Sequence, residues 1–263
     1  MSTLLKVNAL VRECNRTATT GMILAKHDTW SLAAWADGAW AVRANGGSQG
    51  GYIIGIVDDN FLTGVKGTVS PISWSSWKLD RVARSSTSAE IQSVTDTLEE
   101  LELCRLLIYE VLKGPVNYED QGQVNDAMRS VPAVLATDGK AGYDALARNE
   151  SSGLGLKERR AAIECRGIKQ AQRRTGFDIA WVHSDAMLGD GLTKGKAAPK
   201  LHQFFVEGQI WRLVHDPMFT SARKRKGLGL EALDDHPGEE ARQAAAGRVS
   251  APGDASGAGQ STG

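Results

Sequence analysis

A chain of 263 residues with 31 basic and 31 acidic side chains carries no formal net charge, and its 41% apolar, 24% charged composition is that of an ordinary globular protein. It has no apolar run of the roughly 18 residues a membrane span needs, and Lys6 and Asn8 interrupt the leading apolar stretch, so neither a spanning helix nor a signal-peptide core is present. Cys14, Cys104 and Cys165 are far apart and form no CxxC pair, which supports neither a zinc ribbon nor a disulfide framework and points to a reducing, intracellular site, cytoplasmic or nuclear.

In chain order, residues 2–15 place Leu4, Val7 and Val11 at helical spacing and predict a short amphipathic helix. Trp30 to Ala36 reads as a buried strand ending at Asp37-Gly38. Gly50 to Val57 is a second strand, followed by a turn at Asp58-Asp59-Asn60. Ile72 to Trp77 is a third, with Ile72, Trp74 and Ser76 on one face. A long helix starts near Ser88, carries Ile91, Val94, Leu98, Leu101, Cys104, Ile108 and Leu112 in one stripe, and ends at Gly114-Pro115. Residues 114–131 read as an extended loop, and Ala133 to Thr137 as a short buried strand running into Asp138. Helices follow at 141–148 and from Lys157 to Arg174, the second capped by Gly176 and rich in bases. Asp178 to His183 is a fifth strand and Leu201 to Val206 a last helix. Three close strands followed by strands alternating with helices predict an α/β fold, a five-stranded mixed sheet flanked by helices. From Gly227 onward the chain has no aromatic residue, eight glycines and six acids against two bases, which predicts a disordered tail of net charge −4 and leaves +4 on residues 1–226. Arg223 to Lys226 is a run of four bases at that junction, either a solvated linker or an import or nucleic-acid contact.

Four acids fall at the ends of these elements: Asp37 after the first strand, Glu90 in the first turn of the long helix, Asp138 after the fourth strand, and Asp190 in the segment Gly189 to Lys194. Each has a plainer reading. Asp37-Gly38 and Asp138-Gly139 are turn pairs, Thr87-x-x-Glu90 is a capping box, and Asp190 could cap a helix. Together they would share one edge of the sheet, where four carboxylates repel one another unless a cation lies between them. Hard oxygen donors of this kind suit Mg²⁺ or Mn²⁺, and a pair of such ions is the usual device for phosphodiester cleavage.

The string Gly46 to Ile54, then Pro71 to Ser76, Arg84 to Glu90, Thr137 to Leu146, Trp181-Val182 and Leu188 to Lys194 resembles the ribonuclease H domain of copia-type retrotransposon Pol polyproteins. The resemblance spans about residues 29–196. It implies a ribonuclease H-like fold and an acidic site made by Asp37, Glu90, Asp138 and Asp190 as catalytic and metal-binding residues with two Mg²⁺ (or Mn²⁺) ions. It also implies cleavage of the RNA strand of an RNA–DNA hybrid, leaving 5′-phosphate and 3′-hydroxyl ends, with a reverse transcriptase as partner. The expected organisation is a helical linker at 1–28 similar to the reverse transcriptase connection, the ribonuclease H-like domain at 29–222, and the basic run with its acidic tail at 223–263.

Substrate contacts are expected from Arg84, Ser85 and Ser86, from the basic helix through Arg159, Arg160, Arg166, Lys169 and Arg173, and from Lys194; the plainer readings are a helix cap and a solvated helix face. His183 stands where the resembling sequences have proline, and is either an accessory group near Asp190 or a substituted turn residue. Trp35, Trp74 and Trp181 are expected in the core. The tetrapeptide Ile56-Val57-Asp58-Asp59 is similar to a polymerase signature but falls in a turn between strands. The alternative function is a module of the same fold that binds nucleic acid or a partner without cutting. Gly139 and Ala141, where the resembling sequences carry Asn or Ser and then Ser, motivate it.

Overall fold

The computed structural model describes residues 2–148, 155–156 and 158–215. The chain divides into two units, Met1–Pro217 and Met218–Gly263. The second unit, with the expected tail and the basic run at 223–226, lies outside the described residues.

Helix α1 (Ser2–Arg16) precedes strands β1 (Ser31–Ala39) and β2 (Gln49–Val57). Short α2 (Asp59–Leu62), β3 (Gly67–Thr68) and β4 (Ser70–Lys78) lead into the long α3 (Ser86–Lys113). Then come α4 (Gln121–Arg129), β5 (Ala133–Thr137), α5 (Lys140–Ala147), α6 (Arg159–Thr175) and β6 (Asp178–Trp181). Short α7 (Asp190–Thr193), α8 (Ala198–Val206) and β7 (Ile210–Trp211) complete the described chain.

The main sheet has the order β4-β2-β1-β5-β6. β1 pairs antiparallel with β2 and β2 antiparallel with β4, while β1–β5 and β5–β6 are parallel. The central strand β1 is buried along its whole length because both faces are covered. Leu32, Ala34 and Ala36 face one core with Ile91, Val94, Leu98 and Leu101 of α3 and with Cys165 and Ile168 of α6. Ala33 and Trp35 face a second core with Phe61, Met187, Leu188 and Phe204. The alternation is the two-residue period of a strand, and it sets which face of the sheet Asp37 joins.

Several expectations need correction. Residues 114–131 are not a loop throughout: Asp120 caps α4 through Gly122 and Gln123 N–H, and Val124, Ala127 and Met128 pack on Leu106 and Val116. The turn at 58–60 opens α2 instead. The register between β2 and β4 shifts between Ile54 and Gly55, leaving Ile72 without a partner. Ile72 therefore packs with the α3 core, while Ser76 reaches Leu192 on the opposite side. Trp74 is 52% exposed on this edge strand, and Leu112 is 47% exposed near the end of α3. The apolar side chains Leu4, Val7 and Val11 of α1 are also exposed.

The Val-Asp-Asp segment serves as an anchor. Asp58 Oδ1 accepts from the N–H groups of Asp28 and Thr29, which holds its carboxyl below the usual range. His27 Nε2 lies 2.8 Å from Ser70 Oγ, and Gln209 clasps Ile23 and Val69. Ser70 is 1% exposed, so this His–Ser contact fixes the entering chain and offers no nucleophile. It sits where β1 begins, at the end of the sheet opposite Asp37.

Candidate active site

The site forms where β1 and β5 end and α3 begins. Asp37 lies near the end of β1, opposite Gly51 of β2, so it is a strand residue and not the turn of the plainer reading. Its side chain is fully buried. Asp138 directly follows β5, whose parallel register with β1 brings the two strand ends side by side. Asp190 opens α7 and is 7% exposed. Asp37, Asp138 and Asp190 each offer a carboxylate oxygen, and these oxygens all lie within 4.8 Å of one another.

Glu90 stands beside this trio. The helix is capped by Ser85, whose hydroxyl accepts from Ser88 N–H, so Thr87 and Glu90 form no capping box. The Glu90 carboxylate instead accepts from Gly38 N–H at 3.1 Å, tying α3 to β1. Glycines permit the close approaches around the site, Gly38 that of α3 to β1 and Gly51 that of α7 to β2. A Cβ at Gly38 would lie 2.5 Å from the Ala89 carbonyl oxygen, and one at Gly51 would lie 2.8 Å from Thr193 Cγ2. Gly139 acts similarly, since a Cβ there would come within 3.0 Å of Glu90 Cγ.

Electrostatics follow from this crowding. Burial first, then the charges of Asp138 and Asp37, hold the Glu90 carboxyl well above the usual carboxylate range. Burial and Asp37 raise Asp138 as well. Asp190 is pushed up to about 6 by burial, against the lowering effect of its bond to Lys194. Lys194 Nζ sits 2.7 Å from Asp190 Oδ1 and 3.1 Å from Asp37 Oδ1. Burial pulls the ammonium down, but the acids around it raise it overall. Hydroxyl groups orient the carboxylates: Ser184 donates to Asp138 Oδ2 at 2.9 Å and Thr193 donates to Asp37 Oδ2. Three close carboxylates, Asp37 and Asp190 buried and Asp138 partly so, are all hard oxygen donors and fit a divalent cation of the Mg²⁺ or Mn²⁺ kind.

Other expected site residues are distributed unevenly. Arg84, Ser85 and Ser86 sit at the start of α3, with Ser85 used as its cap. Arg159 and Arg160 begin α6, next to Glu158, which accepts from Ser88 Oγ; the two helix starts therefore adjoin. Lys169 is not a surface contact: it is 6% exposed and donates to the Arg148 carbonyl. Arg173 lies near the far end of α6, about 20 Å along the axis from Arg159. His183 is partly buried next to Ser184. Ser184, Thr193 and the counter-cation role of Lys194 escape the sequence reading. The Thr193-Lys194 pair beside Asp190 was its only signal, because hydroxyls and ammonium groups acquire a role only once the strands converge.

The mixed five-stranded sheet flanked by helices is the ribonuclease H-like fold expected from the sequence, with acids at the ends of its first and fourth main strands. In sequence the chain is similar to the retrovirus-related Pol polyprotein from transposon RE2 of Arabidopsis thaliana, 40% identical over 105 residues, which cover 38% of this chain and 6% of that polyprotein. A second Arabidopsis thaliana Pol polyprotein, from transposon RE1, is 35% identical over 116 residues, 42% of this chain and 7% of its own length. The chain thus matches only a small part of these relatives. No family model matches it. Among solved structures, the LC11-RNase H1 isolated from compost gives a TM-score of 0.40 at 12% identity, covering 65% of this chain and 98% of that one. The foamy viral protease-reverse transcriptase in complex with dsDNA gives 0.37 at 14% identity, covering 65% of this chain and 96% of that one. Among the described residues no helix is long and apolar enough to cross a membrane.

Proposed function

We propose that this chain is a metal-dependent endonuclease that cuts the RNA strand of RNA–DNA hybrids as a module of a retroelement Pol polyprotein. The observation that carries the reading is the convergence of the Asp37, Asp138 and Asp190 carboxylates to within 4.8 Å at one sheet edge, with Glu90 alongside. These four acids would hold two Mg²⁺ or Mn²⁺ ions. When bound, such ions supply an activated water and stabilise the leaving 3′ oxygen.

The protein's own groups do the positioning. Ser184 and Thr193 fix the carboxylates of Asp138 and Asp37, and Gly38 N–H fixes Glu90, so the acids are aimed before any substrate arrives. Arg84, with Ser86 beside the Ser85 cap, would hold a phosphate at the start of α3. Arg159 and Arg160 extend that contact from the adjoining helix. His183 would act as an accessory group near Asp190. Selection of RNA would come from its 2′-hydroxyls, the feature by which protein tells it from DNA.

One observation favours a second reading, a module that binds without cutting. Lys194 already places a cation between Asp37 and Asp190, so the acids are partly compensated without a metal ion. Both readings are tested by incubating the purified full chain with a labelled hybrid and Mg²⁺ or Mn²⁺. Metal-dependent loss of the RNA strand, absent in Asp37→Asn, supports the nuclease. Binding without cleavage under both metals supports the second reading.

A further inference from the structure

The acid trio does not end at a flat surface. A trough of about 910 Å³ opens beside it, lined by Asp190 and Lys194 on the acid side and by Arg43, Lys196 and Lys200 farther out. Arg43 comes from the turn between β1 and β2, and Lys196 and Lys200 from the segment leading into α8 and its first turn. Four of the lining residues are bases and one is an acid. Small-molecule sites are lined mainly by apolar and aromatic side chains. This one has no aromatic ring among its described lining residues, so it offers bases nothing to stack on and offers phosphates a row of cations. The walls are held in place: Lys200 donates to the Ser184 carbonyl at 2.6 Å, and Ser76 donates to the Leu192 carbonyl. Ser184 in turn touches Asp138, so the trough and the trio share a frame.

We propose that this trough holds the sugar–phosphate backbone of the strand that is cut, on one side of the scissile bond, while that strand remains paired. The inference rests on the nuclease reading, which places the scissile phosphate at the acids. Asp190 and Lys194 belong to both sites, so the strand leaving the acids runs directly into the trough. This contact lies on the α8 side, distinct from the Arg84 and Arg159 contacts at the helix starts.

The test uses the full chain carrying Asp138→Asn, with and without Arg43→Gln, Lys196→Gln and Lys200→Gln, and a fluorescent RNA–DNA hybrid at constant Mg²⁺. Each phosphate contact adds about 0.9 to the slope of log affinity against log salt, so losing three lowers it by about 2–3. Between about 50 and 200 mM salt the parent then loses roughly 15- to 60-fold more affinity than the triple variant. Neutral methylphosphonate linkages placed near the cleavage point in the RNA strand, on one side only, weaken the parent and leave the triple variant unchanged. The same linkages in the DNA strand weaken both equally. An unchanged salt slope in the triple variant, or an effect that follows the DNA strand or unpaired oligonucleotides, overturns the trough and leaves the nuclease reading intact. If wild type neither binds nor cuts the hybrid, both fall.

Discussion

Lys194→Met removes the cation between two buried acids while keeping the aliphatic stem that packs beside them. The ammonium lies 2.7 Å from Asp190 and 3.1 Å from Asp37, and Asp138 offers an oxygen within 4.8 Å of both. Removing one partner of a buried ion pair costs about 3–5 kcal/mol. Lys194 keeps 38% of its side chain in solvent, which brings the expected loss to about 1–3 kcal/mol. For a unit of this size that is a fall of roughly 2–12 °C in melting temperature. The assay is thermal unfolding of chelator-treated protein at neutral pH, followed by a Mg²⁺ titration. A divalent ion takes over the compensation, so the Mg²⁺-induced rise should be larger in Lys194→Met than in wild type. If the metal-free variant melts with wild type, or Mg²⁺ lifts both equally, the acids are not the strained, cation-seeking cluster described above.

Three further outcomes follow from the same geometry. The carboxyls of Asp190, Asp138 and Glu90 all titrate higher folded than unfolded, so their contribution to metal-free stability is full below about pH 4 and is lost as pH rises through their folded values, about 6 for Asp190. Melts from pH 4 to 8 should show this decline, and Asp190→Asn should flatten it; an equal slope in the variant contradicts the assignment. Arg105 is fully buried, pulled down to about 10 by desolvation, and donates to the carbonyls of Val131, Thr175 and Gly176. Arg105→Leu strands those acceptors and should cost about 3 kcal/mol in urea unfolding, whereas a loss under about 1 kcal/mol means the acceptors find other partners. Gly38→Ala places a methyl against the Ala89 carbonyl and should push α3 off β1, costing about 1–3 kcal/mol and weakening metal binding by calorimetry; undiminished metal affinity would show that Glu90 does not need this contact.

Much of the fold was legible because it is written in local patterns. The continuous apolar runs of β1, β2 and β5 and the stripe from Ile91 to Ile108 mark elements buried on a long, regular face. What stayed hidden depends on distant partners. β3 and β7 are two residues each and exist only because they pair with one another. Helix α4 carries too few apolar residues to stand out until Leu106 and Val116 cover it. Trp74 looked like core because strand pattern alone does not show that β4 is the sheet's edge. The acids were legible as a set, since each sits next to an element boundary. The tighter fact, that three of them meet while Glu90 is held by Gly38, needed the register of β1 against β5 and the close approach of α3. One position of the basic helix misled for a related reason: Lys169 turns inward to the Arg148 carbonyl, while Lys194 is the cation beside the acids.

The most direct test of the central claim is a single-turnover assay on a hybrid labelled separately in each strand, comparing wild type with Asp138→Asn in Mg²⁺ and in Mn²⁺. The expected result is cleavage confined to the RNA strand, with 5′-phosphate and 3′-hydroxyl ends, and a rate at least about a hundredfold lower in Asp138→Asn. An intact hybrid under both metals, cleavage of the DNA strand, or equal rates for the two proteins would contradict it.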